Sequence, residues 1–454
     1  MTPPTEEKTV SQSGIQGYFE FERLQTNFKT EIVAGFTTFM TMAYILAANP
    51  GILSNAIFLE ESGDLFDELA IATAVSAAIA TFIMGIYARF PFALAPGMGL
   101  NAYFAFSVVL GEGIPWQTAL AAVFLEGIVF IVLTVTNVRT LVVNAIPQCL
   151  KAATTAGIGG FIAYIAFQNA GLITNSEATL TAFGNLAAPE TGIAVVGLFM
   201  TAALVQWLQG GLLWGILGTA LIAWVAGVAP WPSGIIGLPS IPSHLFGQAF
   251  VGLSQISPET IGELLTVLFV FLFVDFFDTV GTVTGLGMRT GYIDENGNFP
   301  RVNRALMADA VGTSAGAILG TSTVTSYIES ASGVAEGGRS GFTAVVTGSL
   351  FLLSILFIPL FSAIPALATA PALIIVGVLM VGSVREIQWD DLAEAIPAFL
   401  TIILMPLTYS IADGLAAGLI SYPLIKLFQG KRRETQPIIW IIAAAFIIKF
   451  ILEA

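Results

Sequence analysis

The chain has 454 residues, with 16 Lys or Arg against 30 Asp or Glu, 56% hydrophobic and only 10% charged. A soluble surface needs roughly a quarter charged residues, so several soluble domains cannot be built from this composition. The acidic balance excludes a nucleic-acid partner, the apolarity excludes disorder, and a single cysteine, Cys149, excludes a disulfide scaffold, leaving an all-α polytopic protein of the lipid bilayer.

A bilayer crossing takes about 20 residues, so about 14 spans would leave only short loops. Residues 1–28 are polar and lack the apolar core of a cleaved signal peptide, so they are expected to persist as an N-terminal segment. Apolar stretches then run over 30–48, 69–88, 92–110, 116–136, 152–171, 192–208 and 211–229. A second set covers 260–285, 303–319, 321–335, 340–362, 366–383, 394–409 and 411–428. The apolar piece 437–452 can be a further short span or an interfacial helix, and both readings stay open.

Basic residues set orientation, because Lys and Arg are retained on the cytoplasmic side during insertion. Arg23, Lys29, Arg89, Arg139, Lys151, Arg289, Arg301, Arg304, Arg385 and the cluster Lys431, Arg432 and Arg433 all fall in alternate connections. The connections 49–68, 172–191 and 229–259 contain neither Lys nor Arg. The N-terminus is therefore expected on the cytoplasmic side of the plasma (inner) membrane, with seven spans in each half. The divisions follow as a first repeat over 29–230, an external loop over 231–259, a second repeat over 260–429 and a C-terminal piece over 430–454.

Because seven is odd, two related halves must lie inverted, an arrangement typical of secondary transporters. Sliding the chain along itself places Asn101-Ala-Tyr103 on Thr325-Ser-Tyr327 and, one residue further, Thr118-Ala on Thr343-Ala. Both places are punctuated as broken helices are. The third span reads Phe90-Pro-Phe-Ala-Leu-Ala-Pro-Gly-Met-Gly-Leu-Asn101, with two prolines and two glycines. The tenth reads Gly320-Thr-Ser-Thr-Val-Thr-Ser-Tyr-Ile-Glu329, whose β-branched and hydroxyl residues suit a short extended segment. Irregular backbone at membrane depth survives only against protein or a hydrated cavity, so two such breaks point to a central site.

The eighth span carries Asp275 and Asp278 three residues apart on one helical face, near mid-membrane. The ten Leu, Val and Phe residues before Asp275 favour insertion by about 3 to 6 kcal/mol, while two central Asp cost about 5 to 7 kcal/mol. The terms nearly cancel, so neither carboxyl can face lipid. One is read as a proton carrier coupled to substrate, against a structural role capping a neighbouring broken helix. Glu329 stands at capping-box spacing from Ser326, which would hold the tenth half-helix, and the same helix end suits a polar ligand. Asn101 is either an N-cap of the third half-helix or an amide reading donor and acceptor edges.

Thr325 and Ser326, in the extended segment, are further candidate substrate contacts. Phe92, Tyr103 and Phe104 could stack on a planar ligand, although most of 34 Phe must simply pack. Glu126, Asp309 and Asp413 are expected as packing or gating contacts, and Gln206 and Gln209 as candidates for an interface between moving parts. His244 falls in an external Pro/Gly-rich loop and is expected at the surface. No residue cluster suggests a metal.

Four segments together resemble the AzgA-like purine permeases of the nucleobase–cation symporter-2 family. They are Phe28-Lys-Thr-Glu-Ile-Val-Ala-Gly-Phe-Thr-Thr-Phe-Met-Thr-Met-Ala-Tyr-Ile-Leu-Ala-Ala-Asn-Pro50, Ala95-Pro-Gly-Met-Gly-Leu-Asn-Ala-Tyr-Phe104, Val274-Asp-Phe-Phe-Asp-Thr-Val-Gly-Thr282 and Gly320-Thr-Ser-Thr-Val-Thr-Ser-Tyr-Ile-Glu-Ser-Ala-Ser-Gly333, the last running on to Thr343. The resemblance implies a core of spans 1–4 and 8–11, a gate of the rest, and uptake of adenine, guanine or hypoxanthine with a proton. It further implies that Glu329 contacts the base, that Asp275 and Asp278 serve binding and coupling, and that Asn101 assists; Glu329 is counted with Asp275 and Asp278 among the candidate proton-coupling residues. The proton gradient would take the place of any cofactor, and a homodimer is left open.

The nearest rivals are a xanthine or uracil symporter and an anion transporter of the same fold. The latter should place a cation beside the breaks, yet neither 92–110 nor 319–335 contains Lys, Arg or His. An enzyme would need a nucleophile with a base or a metal motif, and the lone histidine offers none, leaving only the Asp pair to suggest an intramembrane hydrolase. A channel is disfavoured by the lack of a repeated filter motif.

Overall fold

The computed structural model describes residues 14–136, 147–176, 179–239, 242–256, 261–292 and 299–453, apart from some side chains within helices. Arg139 lies outside the described residues, as do the side chains of Arg289 and Arg433. Nine described helices are long and apolar enough to cross a membrane. These are span 1 at Phe28–Leu53, span 2 at Phe66–Ala88, span 4 at Trp116–Val135, span 5 at Gln148–Asn169, span 6 at Pro189–Trp207, span 8 at Ile261–Gly287, span 11 at Gly341–Phe361, span 12 at Ala366–Glu386 and span 14 at Ile411–Phe428. Spans 7 and 13 are the shorter apolar helices Gly211–Val225 and Leu392–Thr408. Span 9, Val302–Leu319, is the same length as span 14 but carries Asn303, Arg304 and Asp309, which dilute its hydropathy.

Spans 3 and 10 are broken, as their sequences predict. Strand β1, Leu94–Pro96, leads into the helical stretch Met98–Gly111. A two-stranded hairpin of β2, Ile173–Ser176, and β3, Leu180–Phe183, joins spans 5 and 6. Strand β4, Val324–Ser326, leads into the short helix Ser330–Ala335. The piece 437–452 is helical, within Pro437–Glu453, and it lies against span 14 while Phe446 meets Phe269 of span 8 edge to face.

The spans pack in two groups. Span 4 lies on span 9, span 11 on spans 1 and 2, and span 2 on span 9. In the other group span 5 lies on spans 12 and 13, span 6 on spans 7 and 12, and span 13 on span 14. Advancing every number by seven turns span 2 on span 11 into span 9 on span 4, and span 6 on span 7 into span 13 on span 14. This is the regularity of two seven-span halves. Small residues let the backbones approach, since lipid gives no hydrophobic push between helices. A Cβ on Gly127 in span 4 would fall 2.9 Å from the Ala310 carbonyl oxygen of span 9, and one on Gly159 in span 5 would fall 2.7 Å from the Gly377 carbonyl oxygen of span 12.

Arginines from alternate connections gather at one end of the molecule. Glu20 accepts from Arg23 at 2.5 Å, Arg89 at 3.2 Å and Arg301 at 3.3 Å. Partial burial would raise the Glu20 carboxyl, but Arg301, Arg23 and Arg89 outweigh it and hold the group below its ordinary range. The N-terminal segment is thereby fastened to the 2–3 and 8–9 connections.

Candidate functional site

The two breaks meet. β1 and β4 run antiparallel, with Leu94 opposite Ser326, Ala95 opposite Thr325 and Pro96 opposite Val324. Tyr327 N–H donates to the Ala93 carbonyl at 3.0 Å and Gly97 N–H to the Thr323 carbonyl at 2.9 Å. With those pairs bonded, Leu94, Pro96, Val324 and Ser326 occupy the alternate positions whose peptide groups point away from the partner strand. At membrane depth each such group needs another partner. The Thr81 hydroxyl of span 2 accepts from Leu94 N–H at 2.9 Å and donates to the Leu94 carbonyl at 3.0 Å. The Thr313 hydroxyl of span 9 does the same for Val324, at 3.3 Å and 2.9 Å. Proline fits at 96 because no donor is required there, and its carbonyl accepts from the Tyr327 hydroxyl at 2.5 Å. This also corrects the repeat register read from the sequence: Thr325 faces Ala95, whereas Asn101 belongs to the following helix.

The acids cluster on this ribbon. Asp278 lines a small cavity with Gly99 and Leu100 of span 3, Thr154, Thr155 and Ile158 of span 5, Val274, and Met380 of span 12. The cavity thus lies between the two packing groups. Thr325 donates to Asp278 at 3.4 Å and stands 3.0 Å from the Thr279 hydroxyl. Thr279 also reaches Asp275 at 3.3 Å and Asp309 at 2.9 Å, so Asp309 belongs to the same chain of contacts.

Glu329 does not cap the short helix with its side chain; its Oε1 accepts from the Tyr44 hydroxyl at 3.2 Å. Tyr44 sits where span 1 is interrupted between Phe28–Met42 and Ile45–Leu53. Asn101 lies within helix Met98–Ala102 and is not its N-cap, which is Gly97. The Asn101 amide oxygen accepts from Ser322, while its buried Nδ2 has no partner among the described residues. The buried Ser326 and Tyr103 hydroxyls are likewise without partners. Unsatisfied buried polar atoms cost free energy, and the Asn101 amide and the Ser326 hydroxyl, both beside the span-10 segment, suit a polar occupant.

Tyr103 and Phe104 pack around Phe271 of span 8, with ring centroids 5.0 and 6.5 Å away. Phe92 is not among them, because it stacks on Phe90 in a separate cluster with Tyr292 and Phe299. Glu126 accepts from Thr323 at 2.7 Å and so braces the tenth span. Asp413 lies in the first turn of span 14. Gln209 joins the groups, accepting from Thr37 of span 1 at 3.3 Å and donating to Glu336 at 2.5 Å, whereas Gln206 is exposed at the end of span 6. His244 is exposed and its ring lies 2.6 Å from Glu68. Cys149 is buried. Among the described residues no group of His, Cys, Asp or Glu could hold a metal.

Sequence reading missed Tyr44, Thr81, Thr279 and Thr313. The available signal was hydroxyl residues in the middle of otherwise apolar spans, where they usually bond their own helix.

A polytopic helical protein whose two interrupted spans cross at a polar centre is, by class, a membrane transporter rather than an enzyme. Residues 29–416 match the Permease family, Xan_ur_permease, and the chain belongs to that family. It is 47% identical over 447 residues to guanine/hypoxanthine permease PbuG of Bacillus subtilis, covering 96% of this chain and 99% of that one. It is 40% identical over 445 residues to adenine permease AdeP of Escherichia coli, covering 98% and 97%. Among solved structures, the transmembrane domain of the cyanobacterial bicarbonate transporter BicA superposes with a TM-score of 0.62 at 15% identity, over 86% of this chain and 97% of that one. That likeness concerns the fold alone, which is the seven-plus-seven arrangement.

Proposed function

We propose that the chain is a proton-coupled importer of purine nucleobases, held in the plasma (inner) membrane with its N-terminus cytoplasmic. One observation carries the reading. The strand crossing gathers carboxylates at Asp278 and Glu329 with an unpartnered amide at Asn101 and an unpartnered hydroxyl at Ser326. A purine is flat, largely uncharged at neutral pH and edged with alternating donors and acceptors, so such a set can pair with it. The names of the guanine/hypoxanthine and adenine permease relatives point to the same chemical class.

Proton coupling rests on counting hydrogens. Thr279 and Thr325 make four contacts among themselves and with Asp275, Asp278 and Asp309, yet their two hydroxyls hold only two protons. With every carboxyl ionised, two contacts have no hydrogen in them. A proton on Asp275 or Asp278 supplies a third and relieves repulsion between buried charges. In this mechanism the proton and the base both bias how spans 1–4 and 8–11 sit against the remainder, so the cavity around Asp278 opens to alternate sides. An anion cargo is disfavoured, since carboxylates rather than cations face the crossing. Uptake of radiolabelled hypoxanthine into proteoliposomes under an acid-outside gradient tests the assignment, with unlabelled bases as competitors. Asp275→Asn or Asp278→Asn should abolish gradient-driven accumulation; full accumulation in both variants refutes the coupling, and inhibition by uracil or xanthine alone moves the substrate class.

A further inference from the structure

We infer that Tyr44 is a substrate-positioning residue, acting on the base through Glu329; the inference rests on the purine reading above. Glu329 precedes a six-residue helix too short to fix a side chain by itself. The contacts holding it come from span 1. The Tyr44 hydroxyl donates to Glu329 Oε1 at 3.2 Å, and the Thr41 hydroxyl, which donates to the Thr38 carbonyl of its own helix at 2.8 Å, lies 3.5 Å from the Glu329 carbonyl.

Tyr44 is itself immobilised. It is 1% exposed, and the Ala47 and Ala48 amides both donate to its carbonyl where the helix tightens. A planar ring fixed at both ends gives its hydroxyl little freedom. The single phenol proton is given to Oε1, and the acceptor positions beyond those met by the phenol and by the Glu329 N–H are left for donors on the base. Span 1 therefore selects the orientation in which Glu329 meets its ligand. Losing the hydroxyl should let the carboxylate rotate and weaken ground-state binding, without touching Asp275 or Asp278.

The test is uptake kinetics in proteoliposomes for Tyr44→Phe, Glu329→Gln and the double variant. Phenylalanine keeps the ring and its packing, and KM does not depend on how much protein has folded. Tyr44→Phe should raise KM for hypoxanthine about 10-fold with kcat within about twofold of the parent. The double variant should have the KM of Glu329→Gln alone, because the two side chains act as one unit. A merely structural tyrosine would lower the yield of folded protein and leave KM unchanged, and that result overturns the inference. So does a double variant whose KM effects multiply. A parent protein that neither binds nor accumulates any purine overturns the purine reading together with this one. Transport by the parent with an unchanged KM in Tyr44→Phe overturns this one alone.

Discussion

Replacing Thr81 by valine tests whether the crossing is held by two hydroxyl clamps. Valine has the same shape, so the change removes polarity without opening a cavity. Thr81 and Leu94 are both fully buried, and the hydroxyl serves Leu94 N–H at 2.9 Å and the Leu94 carbonyl at 3.0 Å. Each buried group left without a partner costs about 1–3 kcal/mol, so Thr81→Val should destabilise by roughly 2–6 kcal/mol. Thr313→Val should cost somewhat less, because its contact with Val324 N–H is longer, at 3.3 Å. Thr219→Val is the control: that hydroxyl is equally buried but donates only to the Gly215 carbonyl of its own helix. Thermal unfolding in detergent, followed by size-exclusion chromatography of the heated protein, should rank the loss Thr81→Val, then Thr313→Val, then Thr219→Val near the parent. Equal melting of Thr81→Val and Thr219→Val would show that the strand's outward groups are satisfied some other way, and the clamp argument would fail.

Two further outcomes follow from contacts away from the crossing. Arginines hold the Glu20 carboxyl below its ordinary value of 4.5, so its contribution is fully present above pH 4.5 and is lost as pH falls through the lowered value in the folded protein. Glu20→Gln should therefore lower stability at pH 7 by about 1 kcal/mol and remove part of the parent's loss below pH 4.5, read as melting temperature against pH. An unchanged acid limb in the variant would contradict this. Gln209 and Glu336 join the two packing groups at 2.5 Å, so cysteines at both positions, in a Cys149→Ala background, should be bridged by a short bis-maleimide. Bridging should cut hypoxanthine exchange by at least ~10-fold if the groups move against each other. Complete bridging with undiminished exchange would place both residues on one moving body.

The positions of the spans were legible because a bilayer demands long apolar stretches, and the breaks were legible because proline and hydroxyl-rich segments do not belong in them. Asp275, Asp278, Asn101 and Glu329 stood out by the cost of burying them, and the strand crossing brings partners of Asp278 and Asn101 into one place. Their partners were harder to read. A threonine in an apolar helix ordinarily bonds its own backbone, so nothing in the sequence separates Thr81, which clamps a strand, from Thr219, which does not. The aromatic candidates divided for a similar reason. Phe92 and Phe104 flank the same break, but one strand turns between them, sending Phe92 to Phe90 and leaving Phe104 beside Phe271. Register failed too: matching Asn101 with Thr325 aligned polar residues of different elements, one in a helix and one in a strand.

The fold alone does not select the cargo. A chain with the architecture of a bicarbonate transporter can carry an uncharged base if the sign of the crossing changes. Helix N-termini at both breaks offer positive dipole ends, which by themselves favour an anion. In this chain a carboxylate stands directly before the second of those helices, at Glu329, and another faces the ribbon from Asp278. Those acids oppose an anion at the crossing, and what remains to be satisfied among the described residues is the Asn101 amide and the Ser326 hydroxyl, neither of which requires charge in its partner. On the proposed reading, neutral cargo and a titratable carboxyl follow from the same substitution of sign: the acid that turns anions away would also offer a place for the proton.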